Sequence, residues 1–93
     1  MGGTMKILKF NAIWCPGCLV MRPRWNKVIK ELPEIEITEY DYDSNREEVE
    51  HWNIGSKLPV AIIVDSKGSE LTRIIGEKSI DDLYEIINEL MVK

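Results

Sequence analysis

The chain has 93 residues, of which 44% are hydrophobic, 30% charged and 8% aromatic. This is the composition of one soluble globular domain over residues 1–93, with no room for a second and no sign of a disordered or fibrous polypeptide. Twelve basic residues against sixteen acidic ones leave a net charge of −4, which argues against general nucleic-acid binding, because phosphate neutralisation needs clustered positive charge.

The longest apolar stretch, Pro59 to Val64, is about a third of the ~20 residues needed to span a bilayer, so no membrane insertion is expected. The N-terminus lacks a charged start, a long apolar run and a small-residue cleavage site, and a reducing cytoplasm is the expected location. Met5 offers a second start, and residues 1–4 are set aside from the fold as an added or disordered stretch. Residues 1–30 hold six Lys/Arg and no acid, whereas residues 31–50 hold nine Asp/Glu and only Arg46. That asymmetry reads first as a basic helix followed by an acidic edge, both solvated, and second as a surface that steers a charged partner.

Lys6 to Ile13 is a short apolar run that stops at Trp14-Cys-Pro-Gly-Cys18, and Pro16 stands where the first turn of a helix tolerates a missing N–H. A strand therefore feeds a helix. The apolar positions Leu19, Met21, Trp25, Val28, Ile29 and Leu32 follow a helical period, with Pro23 expected to kink the helix. Ile35 to Tyr42 reads as a second strand near a sheet edge. Ser44-Asn-Arg-Glu47 has the pattern of a capping box for a short helix that carries Val49 and Trp52 and ends near Gly55.

Pro59 to Val64 is a buried strand. The turn residues Asp65 to Gly68 join it as a hairpin to a run from Glu70 to Ile75. Ser79 caps a last helix whose apolar set is Ile80, Leu83, Tyr84, Ile86, Ile87, Leu90 and Met91. The order β-α-β-α-β-β-α predicts an α/β fold with a four-stranded mixed sheet and helices on both faces, because the opening crossover must be parallel and the later turn antiparallel.

The chemistry concentrates at Cys15 and Cys18, the only cysteines. A free thiol near pKa 8.5 is only about 3% thiolate at pH 7. A sulfur at a helix N-terminus is helped by unpaired N–H groups and the helix dipole, which favour an anion. Cys15 is then the nucleophile at the exposed helix start. Cys18, one turn further in and more buried, is the thiol that resolves a mixed disulfide. Inert core thiols, half of a zinc site and a cysteine pair bridging an iron–sulfur cluster in a dimer are the other readings. Zinc wants four N/S ligands, and beyond the pair the chain offers only His51, which reads as a surface helix residue.

Trp14-Cys-Pro-Gly-Cys18, Pro23 five residues past the second cysteine, Ile54-Gly-Ser-Lys-Leu-Pro59 opening a hairpin, and Gly76 before the last helix together resemble the thioredoxin family. The resemblance covers residues 6–92 and lacks the extra N-terminal strand and helix of full-length members, giving a compact, glutaredoxin-sized version. It implies the thioredoxin fold and a dithiol–disulfide oxidoreductase with Cys15 and Cys18 as catalytic residues. It further implies a cis Pro59, and a substrate groove flanked by Trp14, Pro16, Leu58 and Pro59. No bound cofactor or metal is implied; protein disulfides are the substrates, a separate NADPH-linked reductase supplies the electrons, and the chain acts as a monomer.

Two departures from the family pattern stand out. The order Cys-Pro-Gly-Cys places its proline as glutaredoxin does, yet Lys57-Leu-Pro59 and Ile75-Gly-Glu-Lys78 do not match glutaredoxin's glutathione contacts. A glutathione-linked reductase, a non-enzymatic binding module and a cluster-bridged dimer are therefore the alternatives. The family's buried Asp six residues before the first cysteine and its Lys on the next strand are represented here by Lys9 and Glu39. The resemblance thus implies an exchanged pair that supports proton transfer. Of the remaining aromatic and sulfur side chains, Trp25, Met21 and Met91 read as core, and Trp52 as core or groove rim.

Overall fold

The computed structural model describes residues 5–91; the expectation for residues 1–4 lies outside them. In chain order the elements are β1 (Lys6–Asn11), α1 (Pro16–Glu31), β2 (Glu36–Asp41), α2 (Arg46–His51), β3 (Val60–Val64), β4 (Glu70–Ile75) and α3 (Ile80–Met91). The four strands form one sheet in the order β2-β1-β3-β4. β1 pairs in parallel with β2 and antiparallel with β3, and β3 pairs antiparallel with β4.

Side-chain alternation along the strands builds two cores. Ile7 of β1 and Ala61 and Ile63 of β3 point to one face, where they meet Met21, Trp25 and Val28 of α1 and Leu83 and Ile87 of α3. Leu8, Phe10, Val60, Ile62 and Val64 point to the other face and pack on Val49 of α2 and on Ile54. β3 is buried at every position, which explains why its sequence is a continuous apolar run with no alternation. On the edge strand β2, Ile37 joins the first core while Tyr40, and Tyr42 just past the strand's end, pack against the second. The irregular apolar spacing there reflects a strand covered on both sides.

Several details differ from the sequence expectation. The short helix is capped at Asn45, not Ser44, and carries no side-chain cap bond. The Asn45 Oδ1 instead accepts the Asp41 N–H at 2.8 Å, while the Asp41 carboxylate accepts the Ser44 N–H at 2.9 Å. The local polar groups close the turn after β2 and are not free to form a capping box. Leu19 and Met91 lie on the outward sides of their helices, 61% and 45% exposed. Trp52 is half-buried against the second core, and His51 sits edge-on to it at 5.1 Å. As expected, Pro23 falls inside α1. Among the described residues, no helix is long and apolar enough to cross a membrane.

The hairpin turn depends on Asp65. One of its carboxylate oxygens accepts the N–H groups of both Lys67 and Ser69 at 2.9 Å, and Gly68 supplies the positive φ of 86°. The Ser69 N–H first, and the other turn groups after it, hold the Asp65 carboxyl below its ordinary value of 3.8. A depressed folded pKa means that the turn's contribution is complete above that ordinary value and is lost as pH falls through the lower folded value. Amide exchange at Lys67 and Ser69 should therefore accelerate on acidification, relative to β1 amides, only below the ordinary carboxylate range. Asp65→Asn should abolish that pH dependence.

Candidate functional site

The start of α1 is built around a sulfur. Cys15 is the N-cap residue in extended conformation, Pro16 opens the helix, and the Cys18 N–H donates to Cys15 Sγ at 3.2 Å. The Cys15 N–H in turn donates to the Ala12 carbonyl at 3.2 Å. A helix whose cap acceptor is a thiol sulfur presents its N–H groups and dipole to an atom that can become an anion. Both cysteines are free.

Exposure does not separate the two cysteines as expected. Cys15 is 4% exposed and Cys18 6%, both within a small cluster with Ala12 that Tyr42 and Leu58 flank. Turning inward to accept the Cys18 N–H buries the sulfur that the sequence placed at an open helix start. Their environments separate them instead. Burial first, and then the hydrogen bond with Cys15, pushes the Cys18 thiol up to about 11, while a backbone bond at Ala12 and the Lys9 charge pull the other way.

Leu58 and Pro59 cover this helix start. Their peptide bond is cis, and Pro59 is held from behind by the Gly76 N–H, which donates to its carbonyl at 2.9 Å. Gly76 adopts a φ of 85°, a left-handed conformation that favours glycine. Gly17 faces the same platform. A Cβ there would lie 3.1 Å from Pro59 Cδ and 3.4 Å from the Leu58 carbonyl oxygen. The glycine of Cys-Pro-Gly-Cys is thus the position where α1 and the platform touch.

An open groove of about 830 Å³ runs past this junction, lined by Trp14, Cys15, Pro16, Gly17, Ser56, Lys57, Leu58, Ile75, Gly76 and Glu77. Trp14, Pro16 and Leu58 line it as expected residues of the site; Pro59 is buried behind the lining. Trp14 is pinned by its Nε1–H, which donates to Asp43 at 2.7 Å, and by an edge-on contact with Tyr42. Nothing in the sequence marks Ser56, Lys57, Ile75, Gly76 and Glu77 as groove residues, because the segments that carry them, before β3 and at the end of β4, meet Cys15 only through the tertiary fold.

Cys18 lines a different groove, of about 550 Å³, together with Ile13, Leu19, Arg22, Glu39 and neighbouring residues. Beneath it the Lys9 side chain is buried on β1, with Nζ 3.9 Å from Glu39 Oε1 and 5.9 Å from the Trp25 ring. Lys9 and Glu39 are register partners on adjacent parallel strands. The carboxylate is exposed and also accepts the Asn11 Nδ2–H at 3.1 Å. Burial holds the Lys9 ammonium below its usual range, and Glu39 opposes that shift.

The comparisons with known proteins agree with this architecture. The family model described as Thioredoxin matches residues 3–89, and the chain belongs to the thioredoxin family. It is 29% identical to a thioredoxin of Chlamydia pneumoniae over 83 residues, 89% of this chain and 79% of that one. It is also similar to the solved structure of Fasciola hepatica thioredoxin, with a TM-score of 0.84 at 27% identity, covering 95% of this chain and 82% of that one. For the thioredoxin of Trypanosoma brucei brucei the TM-score is 0.87 at 25% identity, covering 99% and 79%. The fold is the thioredoxin fold, with its four-stranded mixed sheet and three helices.

Two measurements follow from the helix start. A thiol raised to about 11 is thiolate in only about one molecule in ten thousand at pH 7. Limiting alkylation at neutral pH should therefore label Cys15 first, as read by mass mapping, and a first label on Cys18 would reverse the roles. At Gly17, alanine would gain about 1 kcal/mol of helix propensity but crowd a proline ring that cannot turn aside, at an overpacking cost of about 1–3 kcal/mol. Gly17→Ala should lower the denaturant midpoint, with a net loss of about 1 kcal/mol.

Proposed function

We propose that the chain is a dithiol–disulfide oxidoreductase that reduces protein disulfides through Cys15 and Cys18. The observation that carries this reading is the Cys15 sulfur at the N-cap of α1, bordering an open groove beside the cis Leu58–Pro59 platform, with Cys18 one turn behind it.

The Cys15 thiolate attacks one sulfur of a substrate disulfide, forming a mixed disulfide and releasing the first substrate thiolate, which takes up a proton. The Cys18 thiol then loses its proton and attacks Cys15 Sγ. A Cys15–Cys18 disulfide forms as the bond to the substrate breaks, and the second substrate sulfur leaves to be protonated. Two electrons pass from the pair to the substrate. An extended substrate segment would lie across Leu58 with Trp14 and Pro16 at its sides, along the open groove that these residues line. Lys9 and Glu39 support the proton release from Cys18.

Re-reduction falls to a separate NADPH-linked reductase, and the reading includes a monomeric chain working in a reducing cytoplasm. It is supported by the family membership and by the absence from the sequence of the residues with which glutaredoxins hold glutathione. The test supplies the oxidised protein with NADPH and a thioredoxin reductase, or with glutathione, glutathione reductase and NADPH, and follows NADPH consumption against a protein disulfide. Turnover in the first arm, lost completely in Cys15→Ser, is the expected result. Turnover in the second arm alone would make the chain a glutathione-linked enzyme, and turnover in neither would remove the enzymatic reading.

A further inference from the structure

Among the described residues, Lys57 and Glu77 are the only charged side chains in the lining of the groove that Cys15 borders. They reach it from different segments, Lys57 from the stretch before β3 and Glu77 from the stretch after β4, and both are exposed. The ion pairs of the described residues join Lys6 to Glu36, Lys9 to Glu39 and Arg73 to Glu70. Lys57 and Glu77 pair neither with each other nor with a third group among them. Charges that hold nothing in the fold are available to a partner.

The backbone beneath the two charges is fixed. Lys57 directly precedes Leu58 of the cis platform, and Glu77 directly follows Gly76, whose N–H holds the Pro59 carbonyl at 2.9 Å. Glu77 Oε2 lies 3.6 Å from the point that a Cβ on Gly17 would occupy, so its carboxylate stands against the first turn of α1. The cation thus belongs to the platform side of the junction, and the anion reaches its helix side. Asp43, the acid beside Trp14, is engaged by the indole N–H and lies outside the lining. Trp14 and Ile75 stand about half-exposed in the same groove. A segment laid on them displaces water, which strengthens any charge contact made beside them.

We propose that Lys57 and Glu77 are specificity-determining residues: the groove selects protein disulfides whose attacked cysteine is flanked by an acidic side chain, which pairs with Lys57, and a basic one, which pairs with Glu77. The inference rests on the disulfide-reductase reading above and adds the class of substrate. It differs from attraction by the whole molecule, whose net charge of −4 would draw any basic partner. A segment bearing both signs has no net charge to be steered. Reversing the order of its two charges leaves the net charge unchanged, so a preference between the orders arises only from charges fixed in the groove.

The test uses the Cys18→Ser variant, in which Cys15 reacts once and keeps its product, and cysteine peptides activated as mixed disulfides with nitrothiobenzoate. The Cys15 thiolate attacks the peptide sulfur, a disulfide between Cys15 and the peptide forms, and the coloured nitrothiobenzoate leaves as a thiolate whose absorbance reads the rate. Two peptides of identical composition carry Glu before and Lys after the cysteine, or the reverse. The ratio of their rates is the measurement, because any effect of Glu77 on the reactivity of Cys15 itself acts on both peptides and cancels. With Lys57 and Glu77 in place, one order should react about threefold faster, the usual scale of an exposed ion pair. In the same background the ratio should fall toward one in Lys57→Gln and in Glu77→Gln, and invert in Lys57→Glu/Glu77→Lys. It should also shrink at about 1 M salt, where the screening length is about 3 Å. Equal rates for the two orders, or a preference that survives both the charge exchange and the salt, would overturn the proposal. If the exchanged double variant does not fold, the two single variants and the salt dependence decide. If the unsubstituted chain shows no turnover with a reductase while the ratio behaves as stated, the reductase reading fails and the charge selection stands; turnover with equal peptide rates removes the selection alone.

Discussion

The contact of Pro59 with Gly17 ties together parts of the chain that share no hydrogen-bonded ladder. α1 begins there, β3 begins one residue later, and Gly76 at the end of β4 holds the same platform from behind through its N–H bond to the Pro59 carbonyl. A side chain at position 17 would push the platform from the helix start, so the glycine sets how close Leu58 comes to Cys15. Pro16, one residue earlier, opens the helix at a place where no backbone N–H is needed. The order Pro-Gly between the cysteines thus has a geometric reason: one residue starts the helix and the next lets the platform approach.

The two cysteines are equally buried but differ in what surrounds them. Cys15 accepts an N–H at the positive end of α1 and borders the first groove; Cys18 lies one turn along, where burial pushes its thiol up, and borders the second. The two sulfurs are therefore distinguished by their electrostatic surroundings and by the groove each borders, not by depth.

The sheet makes this division possible. β1 lies between β2 and β3, and alternate residues along it serve different cores: Ile7 faces α1 and α3, while Leu8 and Phe10 face α2. Lys9 shares the face of Ile7, so the parity of a strand delivers its ammonium beneath α1 and toward Glu39 on the adjacent strand. A shift of one residue would send it into the Phe10 core, where Glu39 could not meet it.

The element order, the parallel opening crossover and the hairpin were legible in the sequence because each has a local cause: periodicity for α3, a continuous apolar run for β3, and Asp65 with Gly68 for the turn. The cysteine pair was legible for the same reason, since two cysteines separated by Pro-Gly at a strand-to-helix junction define a helix-capping sulfur without reference to the rest of the chain. Local pattern went astray at Ser44, where Asn45 and Asp41 claimed the turn's hydrogen bonds, and at Leu19 and Met91, where a helical period said nothing about which residues a neighbour would cover. Only the tertiary structure decided the depth of Cys15, the groove residues Lys57, Ile75 and Glu77, and the burial of Lys9 beside an exposed Glu39. These features are set by the approach of segments tens of residues apart, and such distances leave no periodic trace in the sequence.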